Sequence, residues 1–257
     1  MAKGATPLDN PLFDYVLRLG DNSLILAQRL GESTGHAPFL EEDLALSNVA
    51  LDLIGQARLL LTYAGEVEGN GRDEDALAYH RDGWDFRNVL LVEQPNQDFA
   101  YTIARQFLFD TFNLNLYEAL CTSSDPRLAE IAAKSVKEIR YHLRRSSQWM
   151  IRLGDGTVES HQRIQTALDN LWMFTGELFE MDAIDLAVFN TGSGVDLQTL
   201  RPAWDEHVDE ILVEATLARP PQQWMQSGGK IGQHTEHLGY ILAELQFLPR
   251  AYPDATW

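Results

Sequence analysis

The feature that most constrains this chain is the recurrence of apolar residues every three or four positions through four long segments, each of more than about twenty residues. Leu12, Tyr15, Val16, Leu19, Leu26 and Leu30 mark the first, from about Pro11 to Glu32. Leu44, Val49, Leu53, Leu60 and Leu61 mark the second, roughly Glu41 to Glu66. The third, about Phe99 to Thr122, is apolar on more than one side (Ile103, Phe107, Phe109, Phe112, Leu114, Leu116), which befits a centrally packed element. "SSDPR" supplies an N-cap and a first-turn proline for the fourth, which runs to Leu153 and stops at "GDG". No Asn-Gly hairpin joins alternating apolar runs and β-branched residues are sparse, so the chain reads as all-α. Long helices joined by short turns predict an up-and-down bundle, whose central cross-section is where facing side chains can build a site.

The remaining elements are shorter. "GNGRDED" breaks the second helix, and a loop with short helices follows through "YHRDGWDFRNVLLVEQPNQD". A fifth helix is expected from about Glu159 through "TALDNLWMFTGELFE", then a break at "NTGSGVD", then helices over about Leu197 to Ala218 and Gln233 to Leu248. No linker divides compositionally different halves, so residues 1–257 are expected to form one domain. Cys121 is the single cysteine, which excludes an intrachain disulfide or a Cys-based metal cage; it is expected to be a small buried apolar residue. The chain opens with no signal-peptide pattern, and cytoplasmic location is the expectation. Stretches such as "GYILAELQFL" are interrupted by Glu, so no membrane span is expected. A net charge of −18 argues against nucleic acid and anionic lipid as partners.

In helical bundles a di-iron or di-manganese centre takes a Glu from each of two helices and a Glu-x-x-His from each of the other two. Spacing i, i+3 puts both ligands on one helix face. "VKEIRYHLRRSSQW" comes close, but Glu138 and His142 are four apart. The residues three before the seven histidines are Ser33, Leu77, Ile139, Val158, Trp204, Ile231 and His234, none of them acidic.

Four blocks, "LRLGDNSLILAQRLGESTGHAPFLEEDLALSNVALDLIGQARLLL", "LAYHRDGWDFRNVLLVEQPN", "VKEIRYHL" and "GGKIGQHTEHLGYILAELQFL", resemble the C subunits of bacterial phenylacetyl-CoA ring epoxidases. The resemblance covers nearly the whole chain. It implies a ferritin-like bundle with additional C-terminal helices, acting as a structural, non-catalytic subunit in phenylacetate degradation. It also implies a homologous A subunit that holds the di-iron centre and the coenzyme A thioester, a small B subunit, and a reductase with FAD and an iron–sulfur cluster that docks transiently. Laid against the catalytic sister's two Glu-x-x-His segments, Leu53 takes a Glu slot and Gln56 a His slot. Ile139 takes the other Glu slot, while His142 keeps its own. Asp52 and Glu138 remain beside those slots. Leu53 and Ile139 offer no donor atom and Gln56 is a poor replacement for imidazole, so no metal, cofactor or catalytic residue is expected in this chain. Asp52 with Gln56, and Glu138 with His142, are expected to pair on their own helices, with Lys134 a further charge partner for Glu138. The alternative is an oxygenase with an unorthodox centre of its own around Asp52, Glu138 and His142. The isolated chain could also form a homodimer.

Several other features carry two readings each. Asp110 and Asn113 are either another worn ligand pair or ordinary helix-interior polar residues. Lys134, Lys137, Arg140, Arg144, Arg145 and Arg152 form a basic stretch that is either a contact for a partner or a coenzyme A phosphate, or a solvated face. Lys230 in "GGKIG" is grouped with those candidate contacts, although Trp224 stands where a phosphate loop needs Gly. His234 and His237, flanking Glu236, suggest a metal pair but lack a further ligand, and packing is the simpler reading. Trp84, Phe86 and Trp224 are either interface anchors or core.

Overall fold

The computed structural model describes residues 10–221, 224–253 and 255. Nine α-helices lie among them: α1 (Pro11–Glu32), α2 (Leu40–Glu68), α3 (Glu74–Tyr79), α4 (Phe99–Leu120), α5 (Pro126–Gly154), α6 (Val158–Leu171), α7 (Ala183–Asn190), α8 (Arg201–Glu214) and α9 (Glu236–Ala251). Three of the four long ones start where local chemistry dictates. Asn10 accepts from Phe13 N–H ahead of α1, Asp98 from Tyr101 N–H ahead of α4, and Asp125 from Leu128 N–H ahead of α5, each satisfying a first-turn donor. Pro11 and Pro126 occupy first-turn positions, where a missing N–H costs nothing.

α1 packs along α2 and α4 along α5, while α2 and α5 meet more sparingly along one seam. α4 is the spine. Ile103, Phe107, Phe109, Phe112 and Leu116 are all buried, and Leu108 O accepts from the indole N–H of buried Trp204 on α8 at 3.0 Å. α6 and α8 cover the outer side of this layer, and α9 caps the loop that runs from α3 to α4.

The helix bounds in the C-terminal half differ from the spacing-based expectation. The fifth helix ends at Leu171 and breaks into 3-10 turns at Trp172–Phe174 and Gly176–Phe179, where Phe174 is buried and Trp172 and Phe179 turn inward against Trp204. α7, absent from the sequence reading, follows, opened by an Asp182–Asp185 capping box. The helix expected over Leu197 to Ala218 is a 3-10 turn plus α8, and α8 stops before Thr216, which sits at φ 58° and donates to Gly154 O. α9 begins at Glu236 rather than Gln233, because His234 and Thr235, like Gly228 and Lys230 before them, are committed to hydrogen bonds with buried carboxylates described below. Phe86 is fully buried and belongs to the core, whereas Trp84 and Trp224 are exposed. Cys121 caps α4 and is only partly buried.

Candidate functional site

The middle of the bundle is built from α2, α4 and α5. Leu53 and Ile139 are both buried at 1% exposure or less and contribute hydrocarbon to the core. Around them the polar side chains pair across the seam and not along their own helices, correcting the sequence expectation. His142 Nε2 donates to Asp52 Oδ2 at 2.9 Å, and Gln56 Nε2 donates to Glu138 Oε2 at 3.0 Å. Each carboxylate takes its N–H donor from the facing helix, and a charge-assisted bond made there also ties α2 to α5, which a bond within one helix cannot do. Lys134 is exposed and is not the partner of Glu138. One further bond extends the seam, from the buried Arg145 guanidinium to Glu42 of α2.

Asp110, from α4, lies fully buried behind the seam. It accepts from Gln106 Nε2 at 2.6 Å and from Ser146 Oγ at 2.9 Å. Burial pushes its carboxyl up to about 6, against the opposing charges of His142 and Arg145 and the two hydrogen bonds. Asn113, one turn on, is also buried. Three polar atoms around this point, His142 Nδ1, Gln56 Oε1 and Gln106 Oε1, are buried without a protein hydrogen-bond partner.

This donor set does not fit a carboxylate-bridged metal pair. Leu53 and Ile139, which the resemblance sets in the two Glu slots, offer no oxygen. Asp52, Glu138 and Asp110 are each engaged by an N–H or O–H donor, and only one ring nitrogen of His142 is unengaged. Among the described residues no three His, Cys, Asp or Glu side chains converge as a metal ion requires.

Other sequence candidates have structural employment. Lys230 Nζ donates to Asp185 Oδ2 at 2.5 Å and to Glu180 O at 2.7 Å, inside a network with Arg18 and Asp182. The Asp182 carboxyl loses hydration, but the Arg18 hydrogen bond and charge hold it well below the usual carboxylate range. The Gly-rich "SGGKIG" loop binds an anion of its own chain. Gly228 N–H and Lys230 N–H donate to Glu177 Oε1, while Leu90 N–H donates to Oε2. His234 presents Nδ1 to Glu93 Oε2 at 2.8 Å and Nε2 to Phe86 O at 3.0 Å, two acceptors that call for an imidazolium. Burial opposes its charge, but the Glu93 pair and the Phe86 carbonyl raise its pKa overall. Among the described residues His237 joins no such pair through its ring; its backbone carbonyl accepts from Arg29, and Glu236 is exposed. Arg140 bridges to Glu118 at 2.6 Å, and Arg144 lies over the Tyr141 ring.

The buried carboxylates Asp21, Glu93 and Glu177 were not singled out in the sequence. Glu93 and Glu177 stand beside apolar residues, in "LLVEQ" and "GELF", and an acid set in such a run was the available signal. Asp21 holds buried Arg81 and accepts Arg87 N–H at 2.8 Å.

Comparison with known proteins bears on the whole chain. The sequence model of the family described as "Phenylacetic acid catabolic protein" matches residues 2–257. The chain belongs to this family. Its ferritin-like, all-helical fold accords with that membership. Within the family it is similar to the C subunit of the 1,2-phenylacetyl-CoA epoxidase of Escherichia coli (strain K12), with 55% identity over 248 residues, 96% of this chain and 100% of that protein.

Proposed function

We propose that the chain is a non-catalytic structural subunit of a phenylacetyl-CoA epoxidase complex, binding and stabilising the di-iron A subunit in aerobic phenylacetate degradation. The observation that carries this reading is the donor set of the bundle middle. Leu53 and Ile139 are hydrocarbon, and the surviving Asp52, Glu138 and His142 are consumed in cross-helix bonds that tie α2 to α5. A helix pair that two metal ions would otherwise join is joined here by side chains. The chain therefore keeps a shape related to a di-iron protein while giving up the chemistry, which suits a subunit that acts by association. Similarity to a protein named as the C subunit of such an epoxidase supports the same reading. In this account the di-iron pair belongs to the A subunit, the assembly includes a small B subunit, and FAD and the iron–sulfur cluster belong to a reductase.

Co-expression with the A subunit tests the proposal. The two chains are expected to co-elute in size-exclusion chromatography, and epoxidation of phenylacetyl-CoA by the A subunit with reductase is expected to fall when this chain is withheld. Independent elution, or epoxidation by this chain without the A subunit, would overturn it.

A further inference from the structure

α2 is apolar on two sides. Its inner side packs in the bundle, while Leu40, Leu44, Leu51 and Ile54 follow one another along its outer side, Leu40 at 69% and Leu51 at 64% exposure. By length and composition the helix would match a membrane span, yet 44% of its most apolar stretch is buried inside the bundle. A row of this kind on a folded bundle marks a surface that something covers.

The neighbouring helix supplies the charge. α5 holds seven of the chain's 20 Lys and Arg against two Glu, in a molecule of net charge −18. Lys134, Lys137 and Arg144 are exposed, and among the described residues none has a carboxylate within ion-pair distance. The Asp52–His142, Gln56–Glu138 and Glu42–Arg145 bonds hold the two helices side by side, so apolar row and basic helix lie in one layer of the bundle.

The geometry points to the outer α2–α5 face as the docking surface for a different protein subunit, one that presents an apolar groove bordered by carboxylates. A second copy of this chain suits it less well, because the same face on both copies gives the Lys and Arg of α5 no carboxylate-rich surface to meet. An anionic bilayer matches the charge of α5 alone; the chain as a whole repels it, and the inner side of α2 is locked in the core. The inference rests on the subunit reading above and deepens it, naming the face and the chemistry of what meets it.

The test uses the full chain co-expressed with the di-iron subunit, with association measured by size-exclusion chromatography and by titration at two salt concentrations. Leu51→Glu is expected to weaken association at least tenfold with an unchanged Tm. Lys137→Glu should weaken it several-fold and flatten its salt dependence. Tyr240→Glu, on the exposed side of α9, should stay within twofold of the wild type. Wild-type binding that Leu51→Glu leaves within twofold would overturn the assignment of this face while sparing the subunit reading, as would loss of binding confined to Tyr240→Glu. A wild-type chain that never associates would refute the subunit reading itself. Co-sedimentation of the wild type, but not Leu51→Glu, with phosphatidylserine vesicles would give the face to lipid and overturn the protein partner.

Discussion

Replacing Asp110 with Asn should stabilise the protein near neutral pH, and the size of the gain follows from the site. Asp110 is fully buried and titrates at about 6, against an ordinary carboxylate near 3.8. A difference of about two pH units corresponds to roughly 3 kcal/mol between the two protonation states. The sign is that of a raised acid: the contribution to stability is complete below the unfolded value near 4 and is lost as pH rises through about 6. At pH 7.5 the folded wild type therefore carries the cost of an ionised buried carboxylate. Asn has nearly the same shape and no charge, and its bonds are available. Its amide oxygen accepts from Gln106, and its N–H donates to Ser146 Oγ once the hydroxyl hydrogen turns from position 110 to Leu143 O, 3.2 Å away. Urea unfolding of Asp110→Asn and wild type, at low protein concentration on either side of the pI of about 4.6, should show the variant ahead by about 2–3 kcal/mol at pH 7.5 and by less than about 1 kcal/mol at pH 4. A gap that does not change with pH, or a variant that loses stability most at pH 7.5, would refute the reasoning. It would mean that His142 and Arg145 make the carboxylate charge an asset.

Three other outcomes are expected. A double-mutant cycle on Asp52 and His142 should give a coupling of about 1 kcal/mol, while one on Asp52 and Gln56 should stay below about 0.5 kcal/mol, reading out the crossed pairing directly. Gly154→Ala should cost about 2 kcal/mol or more and lower Tm by roughly 5 °C in a thermal melt, because an added Cβ would lie 2.2 Å from Ala215 O, a backbone atom that cannot swing aside. The stability that His234 contributes is complete below its ordinary value near 6.5 and lost as pH rises through its raised one, so wild type should fall relative to His234→Gln in urea unfolding as pH climbs above about 6.5.

The four long helices were legible because each carries its own instructions: an apolar period near 3.6 and, ahead of three of them, a capping residue within reach of its own first turn. The C-terminal half was less so. Whether Trp172 and Phe179 continue a helix or turn inward depends on Trp204, thirty or so positions away, and no local spacing contains that contact. The same holds at the site. The identities of Asp52, Gln56, Glu138 and His142, and the hydrocarbon at Leu53 and Ile139, were on the page in the sequence. Their crossed pairing was not, because it is set by how α2 and α5 lie against each other. The Gly-rich loop invited a phosphate reading for the right physical reason, since its N–H groups do bind an anion, but the anion is Glu177, brought there by tertiary structure. Lys230 illustrates the general difficulty: a cation in a flexible-looking segment proves to be anchored by an acid 45 positions away.

Iron analysis of the purified A–C complex, and of each chain after separation under mild conditions, tests the central claim most directly. The donor set described here predicts that iron follows the A subunit, and that this chain, even after incubation with excess Fe(II) and removal of the surplus, retains well under one ion per chain. A pair of irons retained by this chain alone, lost on replacing Asp52 or His142, would contradict it.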